Sequence, residues 1–563
     1  PKMIAEAPPV QALTETDDPI RYAPKPSAPG YEDALDTSNK IIATPKTIRQ
    51  RVEANLGLAF RTQVLDRLAP LEKVANEMLE PLKGMQMMYY LRMYDQRMSY
   101  TQQAVGVGVP QRVAKKRADG ETEYVIESVE GPSLASVVGI LKDTPNMNAE
   151  AANRLFTMYL LGKRAERVGY DKLNFKVSEA ELRAVVKKID GDEAVRDVFT
   201  KARDEYNSYN KGLMQLAIDC GAITPEEGAR LSASNDYIPY YREQNGNAVL
   251  VIGGEGIVKI GNLREQPYLK ELIGGEDKVL DFMTSSVQNT SMLIDMSLRN
   301  LAAKNAMYEL VGLKLANFLG APIAGKDIVT FKDKGVEKYV QVATNEIGIP
   351  SDLLVKGMEG IPLNNTGLVA AMGMPATFLR RAVTMSPLYA FRQLVRDSVA
   401  APLLSGANFT PVMGAIKELG ASATKTTLER RGITGGQIFV GTNEDLTKIL
   451  RDLQSGKTLN WSTLISKAEG LSMEADAATR RAQYNSYLEQ GLSEMEATLM
   501  SLESMNFNRR GVSSGVALAS RLIPFFNAQL QSLDVLYRAF RGKMPMDERL
   551  QIQSKLLQRG SLL

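Results

Sequence analysis

"DKVLDFMTSSVQNTSMLIDMSLRNLAAKNAMYELVGLKLANFLG", residues 277–320, is the longest stretch of the chain that sustains one helical reading. It contains no proline and is rich in Leu, Met and Ala, which predicts a helix from Asp277 to about Gly320. On either side lie short β-prone runs around glycine turns, "NAVLVIGGEGIVKIG" at 247–261 and "DIVTFKDKGVEKYVQVA" at 327–343. The expected fold is therefore mainly α, an irregular multi-helix assembly with small β-hairpin excursions.

The same reading extends outward. Residues 48–98 repeat apolar positions at helical spacing, with breaks expected near Pro70 and Pro81. "RVAKKRADGETEYVIESV", 112–129, predicts a hairpin turning at Asp119-Gly120. Helix is expected again from Asn148 to Asn235 and from Gly367 onward. The uncharged stretch 398–416 is interrupted by Pro402, Gly406 and Pro411, which argues against a regular spanning helix. Eight prolines fall in the first 45 residues, which predicts an extended arm or linker there. The expected divisions are an arm at 1–45, a helical region with a hairpin at 46–147, a central helical domain at 148–362 and a C-terminal helical domain at 363–563. The chain opens on Pro1 without an initiator Met, and the expectation is a piece of something longer.

Composition limits the chemistry. The 563 residues contain no histidine and one cysteine, Cys220. Ser-His-Asp triads, Cys-His dyads, zinc peptidase sites and imidazole pH switches are thereby excluded for this segment. The net charge of +3 is too small to indicate nucleic acid by itself. Its distribution is uneven, with four basic and seven acidic groups in residues 1–45 and nine basic and four acidic in residues 501–563. A basic end beside apolar helices suits a phosphate or lipid-headgroup surface, although an ordinary solvated helix face is the plainer explanation.

Several motifs imitate sites. "SGKT" at 455–458 has Arg451 where a phosphate loop needs glycine, and "GGEG" at 253–256 has Lys259 where a dinucleotide loop needs one. "KGLMQLA" at 211–217 resembles an element of lytic transglycosylases, but Glu205 is followed by Tyr206 rather than Ser, and Leu213 and Met214 fit a helix face equally well. "RDEYNSYNK", "LERRG", "ATRRAQY" and "NFNRRG" read as charge-rich helix ends or turns. No catalytic, cofactor-binding or metal-binding residue is assigned, and no cofactor is expected.

Two structural motifs are assigned instead. Thr224, Pro225 and Glu227 predict a capped helix start. The helix should stop near Asn235, after which Pro239 enforces extension through "NDYIPYYRE". Tyr237, Pro239, Tyr240 and Arg242 are thus expected to form a joint, with Tyr237, Ile238 and Tyr240 buried. Near the C-terminus, Ala519, Leu522, Phe526, Leu530, Leu533, Tyr537 and Phe540 share one helical stripe, with Pro524 near the helix start. That stripe packs inside the domain, or serves as a seam between subunits or against an anionic membrane met by Arg521, Arg538, Arg541 and Lys543.

"LSASNDYIPYYRE", "LREQP" with "IGGEDKVLD", "LRNLAAKNA", "MSPLYAFRQLVRDSVAAPLLSG", "NFNRRG" and "RLIPFFNAQLQSLDVLYRAFRG" follow one another between residues 231 and 542. In this order they resemble the large polyvalent-protein-associated domain of short-tailed bacteriophage internal virion proteins, over roughly residues 150–563. The resemblance implies an ejection protein of the capsid inner core that leaves ahead of the genome and helps build a conduit across the host envelope. It implies other copies of the chain and other ejection or portal proteins as partners, with phage DNA and the host inner membrane as further contacts. It carries over no catalytic residue; family members often hold a transglycosylase domain elsewhere on a longer chain. The rival expectations are a carboxylate-based peptidoglycan-degrading virion enzyme and a nucleic-acid-binding virion module. A single Cys and 25 Met suit a protein that must unfold, refold and change partners.

Overall fold

The computed structural model describes residues 57–170, 178–232, 257–260, 263–264, 282–323, 325, 327–343, 349–364, 375–376, 379, 387–419, 427–433, 467–503, 506 and 509–541, with backbone alone at 257–260, 361–364, 467–473, 535–541 and a few single positions. The chain divides into two compact units, residues 1–54 and 55–563, and every described residue belongs to the second.

That unit is mainly α, with small antiparallel sheets. A π-helical turn at Arg61–Leu65 precedes α1 (Ala69–Glu77), α2 (Pro81–Asp95) and α3 (Arg97–Gly106). Pro70 and Pro81 sit in the first turns of α1 and α2, where the missing N–H has no helical partner to lose. β1 (Pro110–Lys116) and β2 (Thr122–Ser128) pair antiparallel around Gly120, whose φ of 86° requires a residue without Cβ strain, so the expected hairpin forms where its turn residues put it.

α4 (Leu134–Leu141), α5 (Ala149–Val168), α6 (Glu179–Asp190), α7 (Glu193–Asp219) and α8 (Pro225–Ser232) follow. The start of α8 is the expected reciprocal cap: Glu227 N–H donates to Thr224 Oγ1 (3.0 Å), and Thr224 N–H donates to Glu227 Oε2 (3.1 Å). Leu213 and Met214 of "KGLMQLA" are core residues of α7, and Glu205 accepts a hydrogen bond from Ser136 Oγ at 2.6 Å.

β3 (Ile257–Ile260) precedes the central helix α9 (Phe282–Gly312), which packs among α2, α3, α5 and α7. The helix does not continue to Gly320 as expected. Lys314 takes a φ of 59°, and β4 (Ala316–Leu319) then joins the sheet of β5 (Ile328–Asp333) and β6 (Val336–Val342) in the order β4-β6-β5. Strand pairing overrides the helical preference of this short run. β3 pairs with β7 (Ile361–Asn364), which follows α10 (Ser351–Met358), rather than with a local partner.

The C-terminal part comprises α11 (Pro387–Leu404), α12 (Met413–Glu418), α13 (Lys467–Glu489), α14 (Glu494–Glu503), α15 (Ser514–Leu522) and α16 (Phe526–Arg541). α11 and α12 lie against α13, and α14 returns to α2 and β2. One apolar core runs from Leu58 to Leu502; a small second cluster joins Ala390, Leu394, Ala415, Ala475 and Ala478. No helix among the described residues is long and apolar enough to cross a membrane.

Candidate functional site

The joint residues Tyr237, Pro239, Tyr240 and Arg242 lie outside the described residues, as does Lys543. The stripe falls on two helices rather than one. Ala519 and Leu522 end α15; Ile523, Pro524 and Phe525 break the chain, with Phe525 at a φ of 59°, and α16 starts at Phe526. Pro524 lacks the N–H that would continue α15, which accounts for the break.

Among the side chains described in α16, those of residues 526–534, the buried ones are Gln531 and Asp534, each 2% exposed, whereas Leu533 is 63% exposed. Phe526, Leu530 and Leu522 are half-buried, as is Arg521. Tyr537, Arg538, Phe540 and Arg541 belong to the part of α16 described by its backbone alone.

What Gln531 and Asp534 face is a buried ionic cluster centred on the "NFNRRG" segment. The Arg509 guanidinium lies 3.1 Å from Asp66, 3.3 Å from Glu72, 2.7 Å from Glu503 and 3.5 Å from Asp534. Arg92 of α2 makes a forked pair with Asp66 (2.5 and 3.1 Å) and reaches Glu503 at 2.6 Å. Arg61 holds Glu72 at 3.1 Å and approaches Asp534 at 3.8 Å, and Arg67 holds Asp95 at 2.6 Å. Two parallel N–H···O bonds per fork fix direction as well as distance, which a lysine could not do.

Backbone bonds frame this cluster. Val512 N–H donates to Thr62 O (3.1 Å), Ser513 N–H to Gln63 O (3.0 Å) and Arg67 N–H to Arg510 O (2.9 Å). Gln531 Nε2 donates to both Leu65 O (2.7 Å) and Arg509 O (3.0 Å). Gly511 permits the approach, because a Cβ there would stand 2.1 Å from Gln63 O.

Burial by itself would raise the Asp66 carboxyl pKa, but the charges of Arg92 and Arg509, the Arg92 hydrogen bond and the charge of Arg61 outweigh it and hold the group far below the ordinary carboxylate range. Burial likewise opposes charge on Arg92 and Arg509, and the facing carboxylates, Asp66 and Glu503 foremost, lift both above the ordinary guanidinium value.

Of the other double-arginine motifs, "LERRG" does close a short helix in a turn, as expected, with Arg431 turned inward, whereas "ATRRAQY" lies inside α13 rather than at a helix end or turn. Arg431 is fully buried, donating to Tyr484 Oη and Thr498 Oγ1 (2.9 Å each) and pairing with Glu494, while its carbonyl accepts from Tyr100 Oη at 2.8 Å. Arg480 pairs with Asp476 at 3.1 Å inside α13, and Arg481 reaches Glu474 at 2.7 Å. In "LRNLAAKNA", Arg299 donates to Leu263 O (2.8 Å), and Asn300 ties Cys220 O (2.9 Å) and Lys332 O (2.8 Å) to the central helix. The Cys220 thiol, enclosed there, is pushed up to about 12 by burial, so it is not a nucleophile at neutral pH. The available signal was the repetition of Arg-Arg-Gly or Arg-Arg-Ala beside aromatic and acidic residues; only the partners, from 4 positions away for Arg480 to 437 for Arg509, show that these are anchors.

No family model, curated protein or solved structure matches the chain.

Proposed function

We propose that the chain is a structural internal virion protein of a short-tailed bacteriophage, a part of the capsid inner core that is ejected and helps form the conduit for genome delivery across the host envelope. The observation that carries this reading is what the resemblance-bearing segments do. Arg299 and Asn300 of "LRNLAAKNA" and Arg509 of "NFNRRG" fasten helices and strands distant in sequence, so these segments are scaffold parts. The chain works by assembly with other copies of itself and with other ejection or portal proteins. It touches phage DNA inside the particle and the host inner membrane after release. Catalysis, where the full-length protein has it, belongs to another domain.

The test uses purified particles of a phage encoding this chain. The chain should be present in full particles, protected from added protease, and lost from particles that have released their DNA. The isolated chain should leave a peptidoglycan zymogram uncleared. Absence from particles would overturn the reading, and clearing of the gel would replace it with the enzyme. Protein–DNA affinity that falls steeply with salt, in a chain absent from the virion, would instead favour a nucleic-acid module.

A further inference from the structure

The C-terminal residues 509–541 differ from the rest of the unit in how they are attached. The main apolar core ends at Leu502, and beyond it the only apolar side chain buried among the described residues is Ala517. The other described side chains that are buried there are Arg509, Gln531 and Asp534, all polar, and all meet the same cluster.

The cluster divides along the boundary of this segment into two halves that remain paired when separated. On the body side, Asp66 keeps its forked pair with Arg92, Glu503 keeps Arg92 at 2.6 Å, and Glu72 keeps Arg61 at 3.1 Å. On the segment's side, Arg509 keeps Asp534 at 3.5 Å, and its carbonyl keeps Gln531 Nε2 at 3.0 Å. Neither half is left with a lone buried charge, the situation that makes breaking an internal ion pair costly. Opening also parts α15 from β7 and α16 from α11, but among the described side chains of the segment it exposes no fully buried apolar one except Ala517.

We propose that residues 509–541 form a strap that detaches as one unit, with Arg509 as its lock, while the core from Leu58 to Leu502 stays folded. Detachment bares the Thr62–Arg67 backbone edge and frees both faces of α16. Sub-global opening of this kind is expected where an element has few fully buried apolar side chains, as the described part of this segment does.

Native-state hydrogen exchange of the intact chain tests this without any variant. Strap amides in 509–534 should open together, in a single step of lower free energy than the amides of α9. Two variants act on the strap by different physics: Arg509→Met removes the lock, and Gly511→Ala wedges the backbone away from Gln63. Each should accelerate strap exchange, Arg509→Met by about 100-fold or more, and leave α9 unchanged. The proposal is overturned if strap and α9 amides open together in the unmodified chain, or if either variant accelerates both equally.

Discussion

The central helix α9 and the first half of the C-terminal helix α16, residues 526–534, bury their residues in opposite senses. α9 is enclosed on nearly all sides, with Phe282, Leu293, Ile294, Leu298 and Met307 in the core, and it absorbs its own polar groups: Thr290 Oγ1 donates to Ser286 O and Ser297 Oγ to Leu293 O. α16 turns Gln531 and Asp534 inward and Leu533 outward. Apolar burial is non-directional and spread over many contacts, so α9 cannot leave without dissolving the unit. Ionic fastening is directional and confined to a few atoms, so α16 can be held firmly and still be separable.

The largest effect that would break this contrast belongs to α9. The Phe282 ring packs edge-on against Phe156 (5.3 Å) and Tyr206 (4.6 Å). Phe282→Ala should cost about 4 kcal/mol and lower the denaturant midpoint of the whole unit. A change below 1 kcal/mol by chemical denaturation would show that α9 is not the centre of the core. Next comes Arg92→Met, which leaves Asp66 and Glu503 without their principal body-side partner. It should cost about 3 kcal/mol. A neutral result would mean that Arg509 alone satisfies both carboxylates.

Acidity sharpens the comparison. The Asp66 pKa is depressed in the folded protein, so its contribution is complete above the unfolded value of about 4 and is lost as pH falls through the depressed folded value. Asp397 of α11 behaves oppositely. Burial raises its pKa, against the Arg396 hydrogen bond and charge and with help from Asp476, so its penalty sets in as pH rises past the unfolded value of about 4 and is complete above the raised folded value. Asp397→Asn should therefore stabilise increasingly above pH of about 4 and then level off, whereas Asp66→Asn should destabilise over the same range. Thermal melts from pH 3 to 8 measure both, and equal signs for the two variants would refute the assignment.

Fold class, the hairpin at Gly120, the starts of α1, α2 and α8, and the Lys334-Gly335 turn between β5 and β6 were legible in sequence, because each rests on local chemistry. The β3–β7 pairing and the end of α9 were not, because they depend on partners far along the chain. The ionic seat escaped for the same reason. Nothing next to Arg509 in sequence indicates that Asp66 and Glu72 will surround it. The stripe through Leu522 and Phe526 was a periodicity that Pro524 divides in space, and its period gave no sign of which face of α16 would be inward.

The smallest expected effect follows from that inward face. Leu533→Asp replaces a side chain that is 63% exposed, and beyond about 0.5 kcal/mol of lost helix propensity it should cost strap docking little. Gln531→Leu, two positions earlier, removes the donor to Leu65 O and Arg509 O and should cost about 1–3 kcal/mol, although it makes the helix more apolar. Strap amide exchange measures both in one experiment. In a helix docked by its apolar stripe the ranking would be reversed, so a larger loss for Leu533→Asp would mean that α16 is held by its leucines. If Leu533→Asp leaves exchange unchanged but lowers the sedimentation coefficient of an oligomer, the outward leucine contacts another copy of the chain, and the seam expected from the sequence lies on the face of α16 opposite its ionic seat.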